Sequence, residues 1–240
     1  MIGQNLSVEN IVSEKIDRRK FLAGAGAASS LLVLPLAGCG TGGKQAGSDQ
    51  PHYAMVFDQN KCVGCRDCRD ACNETNKLPK GRSRLLLELQ GGKVEGERGY
   101  AAERRYVRVS CQQCKDAPCV TVCPTGAAYR DAKTGIVTMD PSKCVGCKYC
   151  IVACPYNVRY INEETKVADN CDFCLHSRLE KNEEPACVES CKYDALIFGD
   201  IKDPKSYVSR LLAVKDSVRI RPELGTEPSL RYIPIVKKGV

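Results

Sequence analysis

Sixteen cysteines in four groups of four limit this chain more than any other feature. They fall at Cys62, Cys65, Cys68, Cys72; at Cys111, Cys114, Cys119, Cys123; at Cys144, Cys147, Cys150, Cys154; and at Cys171, Cys174, Cys187, Cys191. Groups one and three read C-x2-C-x2-C-x3-C. Group two opens its middle gap to four residues, group four stretches the same gap to twelve, and both keep the final x3. Disulfides fit poorly, because C-x2-C pairs are badly placed to bridge each other and the chain is not a small loop-rich toxin. Structural zinc uses two well-separated C-x2-C knuckles, which leaves a third cysteine surplus. A redox dithiol needs one such pair, not several. Iron-sulfur ligation is the chemistry that uses all sixteen.

The spacing has a physical reason. Three cysteines in a short loop wrap one cubane with backbone amides turned toward the sulfurs, and the fourth, placed at the start of a helix, points away and ligates the other cluster of a pair. A two-cluster unit therefore needs two groups that exchange their last cysteine, so four groups make two units. Pro155 completes the bacterial ferredoxin pattern in group three, and Pro124 follows group two.

Composition agrees with a core held by metal. Aromatic residues are 6% and Trp is absent, thin resources for a conventional interior, while 17 cysteines in 240 residues is far above ordinary usage. The formal charge of +7 counts thiols as neutral. A cubane with four thiolates is about −2, so four of them bring the total to roughly −1. The basic excess therefore carries no nucleic-acid signal, and no nucleic-acid partner is expected.

The organisation follows from a repeat. Asp58 to Cys65 (DQNKCVGC) matches Asp140 to Cys147 (DPSKCVGC), each preceded by a strand-like stretch, Tyr53 to Phe57 and Ile136 to Met139. Ala127 to Arg130, Asp131 to Gly135 and Ile136 to Met139 read as a hairpin, with Ala195 to Phe198 as the counterpart after group four. Groups two and three form one compact unit, and groups one and four pair across it. The predicted fold class is α+β, with two ferredoxin-like dicluster domains, one inserted in the other. Residues 53–105 and 165–202 form the split domain and 106–164 the inserted one. Arg84 to Gln90 and Arg104 to Ser110 read as strands around a Gly91-Gly92 turn. Its Arg-rich character makes this segment a candidate docking element. Residues 203–240 are expected to hold a helix capped by Asp203, with Pro204 at its first position and an end near Val214, followed by an irregular extended arm with no run long enough to cross a membrane.

The N-terminus reads as an address. Arg18-Arg19-Lys20-Phe21-Leu22 precedes a weakly apolar run to Gly38, which resembles a twin-arginine signal for export of folded proteins. Leu36-Ala37-Gly38-Cys39 resembles a lipoprotein processing site, which makes Cys39, the one cysteine outside the four groups, a lipidation candidate. Residues 1–38 are thus the signal and 39–52 a flexible linker.

From about residue 51 to 235 the layout resembles the four-cluster subunits of bacterial respiratory oxidoreductases, those serving formate-dependent nitrite reduction, tetrathionate reductase and polysulfide reductase. The resemblance rests on Lys61 to Cys65, Ser110 to Cys114 with Ala117-Pro118-Cys119, Cys123 to Ala127, Cys144 to Cys150, Ala153 to Tyr156, and Cys171 to Cys174. It implies four [4Fe-4S] clusters, bound by Cys62, Cys65, Cys68 and Cys191; by Cys171, Cys174, Cys187 and Cys72; by Cys111, Cys114, Cys119 and Cys154; and by Cys144, Cys147, Cys150 and Cys123. Asn73 and Lys192 depart from the proline that follows the fourth cysteine elsewhere. The resemblance further implies a non-catalytic relay at the periplasmic face. Its partners would be a membrane quinol-oxidising subunit and a catalytic molybdopterin subunit or a cytochrome. A self-sufficient enzyme would need groups beyond the ligands, and the sequence offers only His52 and His176, both read as incidental surface or packing residues. The rival of a Cys-rich zinc-binding structural protein would be separated by metal analysis.

Overall fold

The computed structural model describes residues 50–90 and 105–235. The twin-arginine segment, Cys39, nearly all of the 39–52 linker and the Gly91-Gly92 turn lie outside them. Among the described residues no helix is long and apolar enough to cross a membrane.

Small helices and short sheets alternate, an α+β architecture. The central strand is β1 (Tyr53–Asp58), where the alternation of a β-strand divides two cores. Met55 and Phe57 face the interior that contains Cys68, Cys72, Cys171 and Cys187. Val56 faces the opposite side. After β1 comes helix α1 (Asp67–Thr75), which places Cys68 and Cys72 one turn apart on its buried face. Asp67 and Asp70 in its first turn suit the positive end of the helix dipole. Strands β2 (Leu85–Gln90) and β3 (Arg105–Ser110) pair antiparallel, Leu85 opposite Ser110. Leu85 and Val107 send this pair into the same interior as Met55 and Phe57.

Helix α2 (Pro118–Thr121), the hairpin β4 (Ala128–Arg130) and β5 (Val137–Met139), helix α3 (Tyr149–Val152) and the hairpin β6 (Tyr160–Ile161) and β7 (Ala168–Asp169) follow. Helix α4 (Ala186–Glu189) leads to β8 (Leu196–Asp200), which pairs antiparallel with β1, Val56 opposite Ile197. Two stretches far apart in sequence thus share one sheet.

The C-terminal segment differs from the expectation in two ways. Helix α5 (Tyr207–Val214) begins after Ser206, because Asp203 and Pro204 form a turn instead of a cap. The Ser206 N–H donates to the Asp203 carbonyl at 3.0 Å and the Lys205 N–H to Asp203 Oδ1 at 2.9 Å. The arm beyond is not simply extended. Its strand β9 (Leu230–Ile233) pairs in parallel with β1, Val56 opposite Arg231, to complete the order β8-β1-β9. Leu230 is fully buried and the Tyr232 ring meets Phe57 edge-on at 6.1 Å. Val208 and Leu211 of α5 close the far face over Val56 and Ile197.

The same arm straps the group-two loop. The N–H groups of Ser229 and Leu230 donate to the Gln112 carbonyl, and those of Lys115 and Asp116 to Glu227 and Thr226. The Tyr156 and Thr226 hydroxyls lie 2.6 Å apart. His52 is a packing residue here: its Nε2 sits 3.0 Å from Ser229 Oγ and its N–H donates to Asp200 Oδ1.

Candidate metal centres

Each cysteine group begins with the same backbone device. The second residue after the first cysteine is left-handed in all four: Gly64 at φ 76°, Gln113 at 51°, Gly146 at 68° and Phe173 at 54°. That conformation turns the loop tightly enough to aim successive cysteines inward. At two positions glycine supplies it without a Cβ penalty, and a Cβ on Gly146 would stand 3.0 Å from the Lys166 carbonyl. Gln113 and Phe173 bear the strain because packing holds them, each at most 2% exposed.

The third cysteine of each group lies on a short helix: Cys68 on α1, Cys119 on α2, Cys150 on α3 and Cys187 on α4. The fourth was expected at a helix start, and the structure differs. Cys123, Cys154 and Cys191 sit two residues past a helix end, and Cys72 lies inside α1. Pro124 and Pro155 forbid continuation after Cys123 and Cys154, whereas Asn73 lets α1 run one turn further.

The fold gathers cysteines from distant groups. One cavity is lined by Cys62, Cys65, Cys68 and Cys191, with Phe57, Leu87 and Leu196. A second is lined by Cys111, Cys114, Cys119 and Cys154, with Val137 and Arg159. Burial and then the proximity of Cys171, Cys187 and Cys174 raise the Cys72 thiol well above its ordinary value. Burial pushes Cys68 and Cys171 up to about 12 and Cys114 to about 11. Cys123 and Cys144 are half-buried, and Cys65 and Cys147 are exposed. Cys150 stands close enough to Cys123 for the two thiols to influence each other.

Donors are aimed at sulfur. Backbone N–H groups reach Cys123 from Ala128 and Cys191 from Ala195, both at 3.3 Å, and Cys144 from Ala168 at 3.5 Å. Asn76 Nδ2 lies 3.6 Å from both Cys72 and Cys174 Sγ. Two buried guanidinium groups add charge. Arg108, fully buried on β3, donates Nη1 to Cys187 Sγ at 3.6 Å and Nη2 to Cys171 Sγ at 3.7 Å. Arg159, 4% exposed, lies against the second cavity, and none of its three nitrogens meets an oxygen acceptor. A third, half-buried arginine, Arg84, is neutralised by Asp169 and Asp172 at 2.9 and 3.1 Å.

The donor set tests what could sit here. Four thiolates about 2.3 Å from one zinc would crowd within about 4 Å of one another. Among the described residues no three His, Cys, Asp or Glu side chains converge on a single ion. Quartets that line a cavity instead suit a larger, polynuclear group. Such a group is anionic once four thiolates bind it, and buried cations without carboxylate partners fit that sign. His176 does not join: it is half-exposed, with Nδ1 2.9 Å from Glu180.

Several residues here escape sequence reasoning. Gln113 and Phe173 carry no turn signature, and their position two after the first cysteine, where the repeat has glycine, is the one clue. Arg108 and Arg159 come beside their cysteines through tertiary structure alone, and Asn76, one turn from Cys72, meets Cys174 only through the fold.

Residues 102–201 match the family described as the 4Fe-4S dicluster domain. Protein NrfC of Escherichia coli (strain K12) is 46% identical over 224 residues, 90% of this sequence and 95% of NrfC. The polysulfide reductase B subunit of Wolinella succinogenes is 45% identical over 190 residues, 78% of this sequence and 97% of its own length. The thiosulfate reductase electron transfer subunit PhsB of Salmonella typhi is 45% identical over 167 residues, 70% of this sequence and 84% of PhsB. With loops, buried thiols and sulfur-directed donors of this kind, the protein belongs to the family of 4Fe-4S iron-sulfur electron-transfer subunits that includes NrfC and the B subunit of polysulfide reductase.

Proposed function

We propose that the protein holds four [4Fe-4S] clusters and relays electrons through them in a respiratory oxidoreductase complex at the periplasmic face of the membrane. The ligand quartets are Cys62, Cys65, Cys68, Cys191; Cys72, Cys171, Cys174, Cys187; Cys111, Cys114, Cys119, Cys154; and Cys123, Cys144, Cys147, Cys150. The observation that carries this reading is the pair of cavities whose cysteine linings each take three members from one group and the fourth from another. Together these quartets define two ferredoxin-like units, the one built on groups two and three inserted in the one built on groups one and four.

When bound, the clusters supply one-electron couples whose potentials respond to hydrogen bonds, burial and charge. The protein does the rest. The left-handed loops orient the thiols, Phe57, Leu196 and Val137 exclude water, and the N–H donors at Cys123, Cys144 and Cys191 stabilise charge on sulfur. The cysteines pack in series: Cys62, Cys68 and Cys191 share one interior with Cys72, Cys171, Cys187 and Cys111, while Cys114 and Cys119 pack with Cys144 and Cys150. That gives an order of transfer from the Cys62 quartet to the Cys144 quartet or the reverse. The two terminal quartets carry the exposed thiols, Cys65 and Cys147. Each is rimmed by exposed apolar side chains, Val63 and Tyr193 at the first, Val145, Tyr149 and Val152 at the second. Such rims suit docking to redox partners, a membrane quinol-oxidising subunit and a molybdopterin subunit or cytochrome. Export through the twin-arginine route and acylation of Cys39 would put the protein on that side of the membrane.

The test is quinol-driven reduction in membranes that contain the native complex. Adding reduced quinol should reduce the clusters within the turnover time of the reductase, and deleting this protein should abolish quinol-linked turnover. Clusters that stay oxidised, or turnover that survives deletion, would overturn the assignment.

A further inference from the structure

Among the described residues two arginines are buried, Arg108 and Arg159, and neither has an acidic partner. Arg84 holds Asp169 and Asp172, and Arg178 holds Glu183 and Glu189. Arg130 gives its donors to the carbonyls of Gly135 and Cys114. Arg108 and Arg159 have no carboxylate. Arg108 is held by Nε donating to Ser110 Oγ at 2.9 Å and by the Met55 sulfur, so that its free edge faces Cys171 and Cys187. Burial opposes the Arg108 charge, and Cys187, Cys171, Tyr232 and Cys68 together outweigh it. Arg159 is also opposed by burial, and Cys119, Cys111 and Cys150 outweigh that.

The two sets of cysteines are informative. Cys187 and Cys171 belong to one proposed quartet and Cys68 to its pair. Cys119 and Cys111 belong to another quartet and Cys150 to its pair. Arg108 thus faces Cys187 and Cys171, which pack in one cluster with Cys68, and Arg159 lines the cavity of Cys111, Cys114, Cys119 and Cys154. The positions have different origins, Arg108 on β3 and Arg159 in the loop before β6, and no shared motif. An unpaired guanidinium in such places would be strongly destabilising unless negative charge surrounds it.

We propose that Arg108 and Arg159 are internal counter-cations, one for each pair of clusters, that raise the reduction potentials of the clusters they face. This rests on the four-cluster reading above. Accepting an electron makes a cluster more negative, so a fixed cation beside it favours the reduced form, and low local polarity strengthens the effect. Arg108 acts on the clusters of Cys62, Cys65, Cys68, Cys191 and of Cys72, Cys171, Cys174, Cys187. Arg159 acts on the other two. Both are positioning residues: they face the ligands' sulfurs and carry no electron.

The test is a potentiometric titration, followed by electron paramagnetic resonance, of the full-length protein purified anaerobically with its native clusters. Arg159→Gln is expected to lower at least one midpoint by a tenfold change in the reduction equilibrium, about 59 mV for one electron. Arg108→Gln is expected to lower different signals by a similar amount, and Arg159→Lys to stay near wild type. A residue needed only for packing would change yield and leave the midpoints in place. Arg159→Gln protein that keeps its iron with unshifted midpoints overturns the proposal, as does a shift of the same signals by both variants. Should Arg159→Gln lose iron, Arg159→Lys decides: retained iron with near-native midpoints supports a role of charge, and loss of iron there too overturns it. Wild-type protein without any iron-sulfur signal would instead sink the four-cluster reading itself.

Discussion

The half of the molecule around groups one and four and the half around groups two and three hold eight cysteines each, yet they are built unequally. The first has a three-stranded sheet and an interior with Met55, Phe57, Leu85, Phe173 and Leu230, each at most 1% exposed. The second has two short hairpins, and its buried cluster beyond cysteine amounts to Val137, Ala117 and Ala168. Hydrophobic burial can account for much of the first half and little of the second. The lesson is that the same cysteine pattern sits on a conventional core in one place and beside almost none in the other, where, on the proposed reading, binding of metal would supply folding free energy.

Iron removal should expose this difference most strongly. Chelation under anaerobic conditions is expected to abolish amide-exchange protection in β4 to β7 while β1, β8 and β9 keep part of theirs. Equal loss across both halves would break the comparison. Next in size, Phe57→Ala should destabilise the iron-loaded protein by about 3–5 kcal/mol in denaturant titrations. Val137→Ala, in the thinner half, should cost about 1.5 kcal/mol, two methyl groups at about 0.8 kcal/mol each. The order is the point, and a reversal would contradict it.

Gln113 joins the halves, and its loss sharpens the contrast. Its Nε2 donates to the carbonyls of Val137 and Cys171, and its Oε1 accepts the Val137 N–H at 2.6 Å. Gln113→Ala should cost about 1–3 kcal/mol and split one unfolding transition into two, visible by calorimetry. A single unaltered transition would show that the strap of the C-terminal arm suffices. The smallest effect lies at His52 on the sheet side. Burial, then Arg130 and Lys202, hold its imidazole below the ordinary 6.5. The folded state thus binds a proton less readily than the unfolded one, so the contribution is complete above pH 6.5 and falls as pH drops below it. Comparing unfolding of wild type and His52→Gln from about pH 7.5 to about pH 5 should show a slope that the variant lacks.

Much of this was legible because ligand spacing is local. The cysteine groups, the DxxKCVGC motif, the β4-β5 hairpin and the β2-β3 pairing each leave their marks within one short stretch of chain. Strand β9 left none that could be read, because Pro228 and Pro234 bracket it and its partner β1 lies far away in sequence. A parallel pairing at that distance writes no pattern into either strand. Asp203-Pro204 has the chemistry of a helix start and of a turn, and the bonds from the Lys205 and Ser206 N–H groups back to Asp203 make it the turn. The buried arginines could not be distinguished from surface ones, since charge gives no sign of the sulfur it will face.

The central claim is that two sets of eight thiolates hold two pairs of cubanes. Iron and acid-labile sulfide should be quantified in the full-length protein purified anaerobically from its native membrane. The account predicts about sixteen of each per molecule, four for each cubane. Close to eight, or zinc in place of iron, would contradict it.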